Sequence, residues 1–132
     1  MLRLPALGGP TPRGFKATAF WGSVVAVVTL SLTPVAHLPP QVFDVWDKAQ
    51  HALGFARLTV LGLWAYPARP WALVAALLWL GAGIEWAQEA TGWRHGDAWD
   101  WLADAVGIAV AAGIHRAVRR PSAPAAARRR TP

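Results

Sequence analysis

Residues 17–36, ATAFWGSVVAVVTLSLTPVA, run without a single charged side chain. An α-helix rises about 1.5 Å per residue, so about 20 such residues cross the hydrocarbon core of a bilayer. That run constrains the chain more than any other feature, because it points to folding within lipid. Composition agrees: 55% of the 132 residues are hydrophobic and only 15% are charged, less charge than a soluble domain of this size carries.

Three further segments continue the pattern. Residues 49–66 form a run broken by Arg57. Residues 71–87 form another, with Glu85 near its end. Residues 98–118 are weaker, with Asp100 and Asp104 in the first half and an apolar stretch from Gly107 onward. The expected fold is all-α: a polytopic membrane protein, a bundle of four transmembrane helices. Its organisation is a basic cytoplasmic N-terminal segment (1–16), a transmembrane domain (17–118) and a disordered, basic, Pro/Ala-rich cytoplasmic tail (119–132). The first run is too long for a signal peptide, whose apolar region spans about 7–15 residues, and no clear A-x-A cleavage site follows it.

The net charge of +6 is an orientation signal rather than a nucleic-acid footprint. Basic residues gather on the cytoplasmic side of membrane segments. Ten of the thirteen bases lie before the first run, at Arg69, or at and beyond the C-terminal end of the fourth run, from Arg116 onward. All seven acids fall in the opposite loops or helix halves. Both termini are therefore expected in the cytoplasm. Trp21, Trp64, Tyr66 and Trp71 mark the inner aromatic belt, and Trp46, Trp93, Trp99 and Trp101 the outer one. Trp79 and Trp86 fit neither belt and are expected between helices. With no cysteine, disulfides and thiolate chemistry are excluded.

Polar residues recur at helical spacing on three of the four segments. The second opens with DKAQHALGF, where Asp47 and His51 share a face with Lys48 beside them and Gly54 deeper. The third carries Gly81, Glu85 and Gln88. The fourth carries Asp97, Asp100, Asp104, Gly107 and Ala111, preceded by Arg94 in the loop. Facing lipid, each central Asp would cost at least about 2.5–3.5 kcal/mol, so the three stripes are expected to face one another around a hydrated pocket. Arg57 and Asp104 lie at similar depth and are expected to pair. The bland alternative is that these acids are solvated at the helix ends or complement helix dipoles. It suits Asp44, Glu89 and Asp97 better than the deeper Glu85 and Asp104.

The order D-K-x-x-H-x-x-x-F, then E-x-x-Q, then R-x-x-D-x-x-D, closing on Asp104 and Gly107, resembles the VanZ-like family. These are small bacterial membrane proteins named for a member linked to teicoplanin resistance. The resemblance spans residues 17–118 and departs from the family at Asp104, where Asn is usual, and at Ala111, where Gly is common. It implies a helical protein of the bacterial inner membrane and cell envelope, without a settled reaction.

Three functions compete. A binding module would hold a lipid- or glycan-linked headgroup or glycopeptide-like ligand through Asp47, Lys48, His51, Glu85, Gln88, Arg94, Asp97, Asp100 and Asp104. Its partners would be membrane lipids or a lipid-linked envelope precursor, with no nucleic acid. An enzyme would use His51 as general base oriented by Asp47, with Glu85 as acid. A metal-dependent variant of it would use His51, Glu85 and Asp100 on a hard or borderline ion, zinc being disfavoured by the single imidazole. A proton-coupled transporter would use the intramembrane carboxylates. No cofactor and no resident metal are expected.

Overall fold

A computed structural model describes residues 12–37 and 47–119. Among these are four α-helices, α1 (Pro12–Leu32), α2 (Asp47–Ala65), α3 (Pro70–Thr91) and α4 (Ala98–Val118), a short 3-10 turn at Val35–His37, and no strand. Most of the basic tail, Asp44 and Trp46 lie outside the described residues.

Local chemistry explains the helix ends. Helix α1 starts at Pro12, within the segment expected to precede the domain. Hydropathy marks where a helix suits lipid, not where it begins, and proline favours the first helical position because no intrahelical partner awaits its missing N–H. Pro34 stops it, and the Thr33 hydroxyl donates to the Thr29 carbonyl at 2.6 Å. Helix α3 also opens on proline. It closes at Gly92, whose φ of 74° favours glycine and whose N–H donates to the Glu89 carbonyl. Asp97 caps α4, its carboxylate accepting the Trp99 N–H at 2.9 Å.

The helices alternate in direction. At one end, Trp21 Nε1 donates to Tyr66 Oη at 2.9 Å, and Lys16 Nζ sits 5.0 Å from the Trp64 ring centroid. At the other, Gln88 Nε2 and Trp93 Nε1 donate to the carbonyls of Ser31 and Leu32. Helix α2 touches all three others and packs most closely on α4. Gly107 permits that approach, since a Cβ there would collide with the Ala52 carbonyl. Gly62 likewise admits Leu73, whose methyls lie 2.7 Å from where a Cβ would stand.

Polarity runs opposite to that of a water-soluble bundle. Phe55, Leu58 and Ile108 share the interior with Thr59, Glu85, Gln88, Asp100 and Asp104. The exterior carries Trp79, Trp86, Val118 and Leu53, each at least 71% exposed. Trp79 and Trp86 thus point outward from α3 and do not pack between helices. Large apolar side chains on the outside around buried carboxylates suit a lipid surround. Helices α1, α3 and α4 are long and apolar enough to cross a membrane. Helix α2 has 19 residues, about 28 Å of length, but Asp47, Lys48, Gln50, His51 and Arg57 lower its apolarity. Being flanked by three neighbours, it needs a less apolar surface than they do.

Candidate functional site

The site lies where the N-terminal half of α2 meets the C-terminal half of α3 and the start of α4. Its frame is the contact of Gly107 with Ala52. These residues stand three positions after Asp104 and one after His51, so the two backbones are close where the two short side chains must meet. His51 Nδ1 and Asp104 Oδ1 share a hydrogen bond at 3.0 Å. One turn nearer the helix ends, Lys48 Nζ donates to Asp100 Oδ1 at 2.8 Å and to Asp97 Oδ2 at 2.9 Å, tying α2 to the α4 cap.

Helix α3 closes the cluster. Glu85 Oε2 accepts the Asp97 N–H at 2.8 Å, while Glu85 Oε1 points toward His51 Nδ1 at 4.0 Å. Asp100 Oδ2 stands 3.9 Å from His51 Nε2, so carboxylates flank both ring nitrogens. Gly81 makes room for Asp104, whose Oδ2 lies 2.8 Å from where a Cβ at residue 81 would stand. Two oxygens, Glu85 Oε1 and Asp104 Oδ2, are buried without a hydrogen-bond partner among the described residues.

Asp97 stands outside the spanning segments. Its carboxyl is held below the ordinary value by the Trp99 N–H it accepts and, next, by the Lys48 ammonium.

The structure thus brings Asp47, Lys48, His51, Glu85, Asp97, Asp100 and Asp104 together. Asp47 is exposed, with a carboxylate oxygen within 4.8 Å of donor atoms of His51 and Asp100. Gln88 is buried but turned toward α1, where it holds the Ser31 carbonyl. Arg94, half-buried, lines the same groove as Asp47 and His51.

The expected Arg57–Asp104 pair does not form. Arg57 is exposed and has no hydrogen-bond or ion-pair partner among the described residues. Depth counting ignored direction. Six residues separate His51 from Arg57, which turns Arg57 about 120° away around α2. His51 takes Asp104 instead.

A void among the described residues lies away from the expected place. Helices α2 and α4 pack too closely to leave a cavity between them. A groove of about 560 Å³ runs instead between α1 and α2. Its mouth holds Asp47, His51 and Arg94, and Arg57 lies farther in. Its α1 wall includes Thr18, Gly22, Ser23 and Ala26. This α1 contribution was missed in the sequence, although Thr18, Gly22 and Ala26 recur every four residues. His51 belongs to both the carboxylate cluster and the groove. The arrangement can accept hydrogen bonds from hydroxyl or amine groups at the mouth and offer guanidinium groups to an anion.

Comparison with protein-family models, curated proteins and solved structures finds no match to the chain.

Proposed function

We propose that this chain is a VanZ-like integral protein of the bacterial inner membrane, with both termini cytoplasmic. In this reading its α1–α2 groove binds a lipid carrying a polar, anionic headgroup from the extracytoplasmic side. The observation that carries the proposal is the continuity of the groove. The mouth is polar, with Asp47, His51 and Arg94; Gly22, Ala26 and Val27 line the wall along α1, with Thr18, Ser23 and Arg57 also on the lining. That is the shape of an amphiphile, with space for a headgroup at the mouth and an acyl chain along α1. Arg57, without a partner among the described residues, sits within reach of an anion entering the groove, and an unpaired cation at this depth is costly without one.

The orientation rests on the clustering of bases at Arg13, Lys16, Arg69, Arg116 and Arg119, all at the end opposite the acids. In this reading Asp104 holds His51, Lys48 locks the mouth to α4, and Arg57 and Arg94 attract the anion.

The test is binding of phosphatidylglycerol against phosphatidylcholine to the purified chain by native mass spectrometry. Phosphatidylglycerol should be retained preferentially. Arg57→Leu should weaken retention by about tenfold, the loss expected for one charge-assisted contact, with helical content intact. Equal retention of both lipids, or none by either, refutes the reading.

A second reading is favoured by the His51–Asp104 pair, since an imidazole held by a buried carboxylate is the usual arrangement of a general base. Turnover of a lipid-linked substrate that is lost in His51→Ala, with binding kept, would select it.

A further inference from the structure

Five carboxylates converge around His51: Asp47, Glu85, Asp97, Asp100 and Asp104. Lys48 and the nearby Arg94 balance only two of them, leaving a surplus of three negative charges when His51 is neutral. Lys48 is also engaged at the rim with Asp97 and Asp100, so it does nothing for the deeper pair. There, Glu85 is 9% exposed and Asp104 is 0% exposed, and each has one carboxylate oxygen buried without a partner among the described residues. A buried, unpaired carboxylate oxygen is costly, and such atoms are uncommon unless a proton, water or ion supplies the missing contact.

The geometry around His51 favours an ion. Donor atoms of His51, Glu85 and Asp104 all lie within 4.8 Å of one another. Bonds of about 2.1 Å to a six-coordinate ion set adjacent donors about 3.0 Å apart and opposite donors about 4.2 Å apart. His51 Nδ1 is 3.0 Å from Asp104 Oδ1, where an ion would displace the proton of their hydrogen bond, and 4.0 Å from Glu85 Oε1.

We infer that His51, Glu85 and Asp104 form a buried site for a six-coordinate divalent transition cation of the Mn²⁺ class. One imidazole with two carboxylates suits Mn²⁺ or Fe²⁺ better than Mg²⁺, which prefers oxygen alone, and better than a structural Zn²⁺ site, which takes four ligands. Asp47 and Asp100 lie on the other side of the ring and belong to the outer rim. Three protein donors leave positions open, and His51 lines the groove, so a headgroup phosphate oxygen would complete the sphere. That extension rests on the headgroup reading; the cation site does not.

The experiment uses the full chain in detergent micelles, stripped with chelator and titrated with Mn²⁺ alone, with no lipid added. Electron paramagnetic resonance follows the loss of the free-ion signal. One Mn²⁺ per chain is expected, with ¹⁴N modulation from His51 in the pulsed spectrum. Glu85→Gln and Asp104→Asn should each weaken binding at least about tenfold, the scale of one lost charged ligand, while Asp47→Asn changes it less than about threefold. The ¹⁴N signature on the unmodified chain needs no variant, so misfolding of a variant does not blunt the test. Absence of stoichiometric binding, absence of ¹⁴N modulation, or loss of binding in Asp47→Asn with retention in Glu85→Gln overturns the inference. Mn²⁺ binding without phosphatidylglycerol preference would refute the headgroup reading alone.

Discussion

Replacing Gly107 with alanine tests the contact that frames the site. Its Cβ would collide with the Ala52 carbonyl, a backbone atom of α2 that cannot rotate aside. Overpacking of this kind costs about 1–3 kcal/mol, and a rigid obstacle places it near the upper end. Alanine returns about 1 kcal/mol through its better helix propensity. The net expected loss is about 2 kcal/mol. Gly113 on the same helix is the control, because nothing lies within 4 Å of a Cβ there. Gly113→Ala should therefore be neutral or stabilising by up to about 1 kcal/mol. The two variants, each one methyl larger, should differ by about 2–3 kcal/mol in reversible denaturation by dodecyl sulfate from mixed micelles. Gly107→Ala should also loosen the His51–Asp104 pair, since α2 and α4 must part beside it. If Gly107→Ala matches Gly113→Ala in stability, the close α2–α4 crossing is wrong.

Two further outcomes are expected. Gly81→Ala places a Cβ 2.8 Å from Asp104 Oδ2 and 3.2 Å from the Trp101 ring; it should cost about 1–2 kcal/mol by overpacking, read by the same denaturation. Acid should weaken the α4 cap. Because the folded state holds the Asp97 carboxyl below its ordinary value, its contribution is present above about pH 4, the unfolded value, and is lost as pH falls through the lower folded one. Asp97→Asn keeps a capping oxygen but not the charge, so the gap in thermal midpoint between it and the unmodified chain should shrink from pH 6 to pH 2.5.

Much of the bundle is legible because helices in lipid advertise themselves. The fourth segment, read over residues 98–118 although its first half carries Asp100 and Asp104, is where α4 lies. Spacing of three and four along Glu85–Gln88 and Asp100–Asp104–Gly107 placed those residues on inward faces, and all are buried. Angular relations between helices were not legible. Arg57 and Asp104 share a depth but not a direction, and only packing reveals which neighbour each faces. The groove escaped notice for a related reason. Thr18, Gly22 and Ala26 carry no charge, and a void is a property of two surfaces that fail to meet. Trp79 and Trp86 were misplaced because an interfacial preference for tryptophan does not forbid it a lipid-facing position.

Helix α2 must wait for its partners. The carboxylates that hold Lys48 and His51 lie 49, 52 and 53 positions further along the chain. During synthesis the most polar helix therefore emerges long before the acids that neutralise it. At biosynthetic rates of about 5–20 residues per second, that interval lasts several seconds. The membrane-insertion machinery, or water at the bilayer surface, must shelter α2 throughout. Truncation before residue 97 should then leave a product that quality-control proteases remove, although its first three helices are complete.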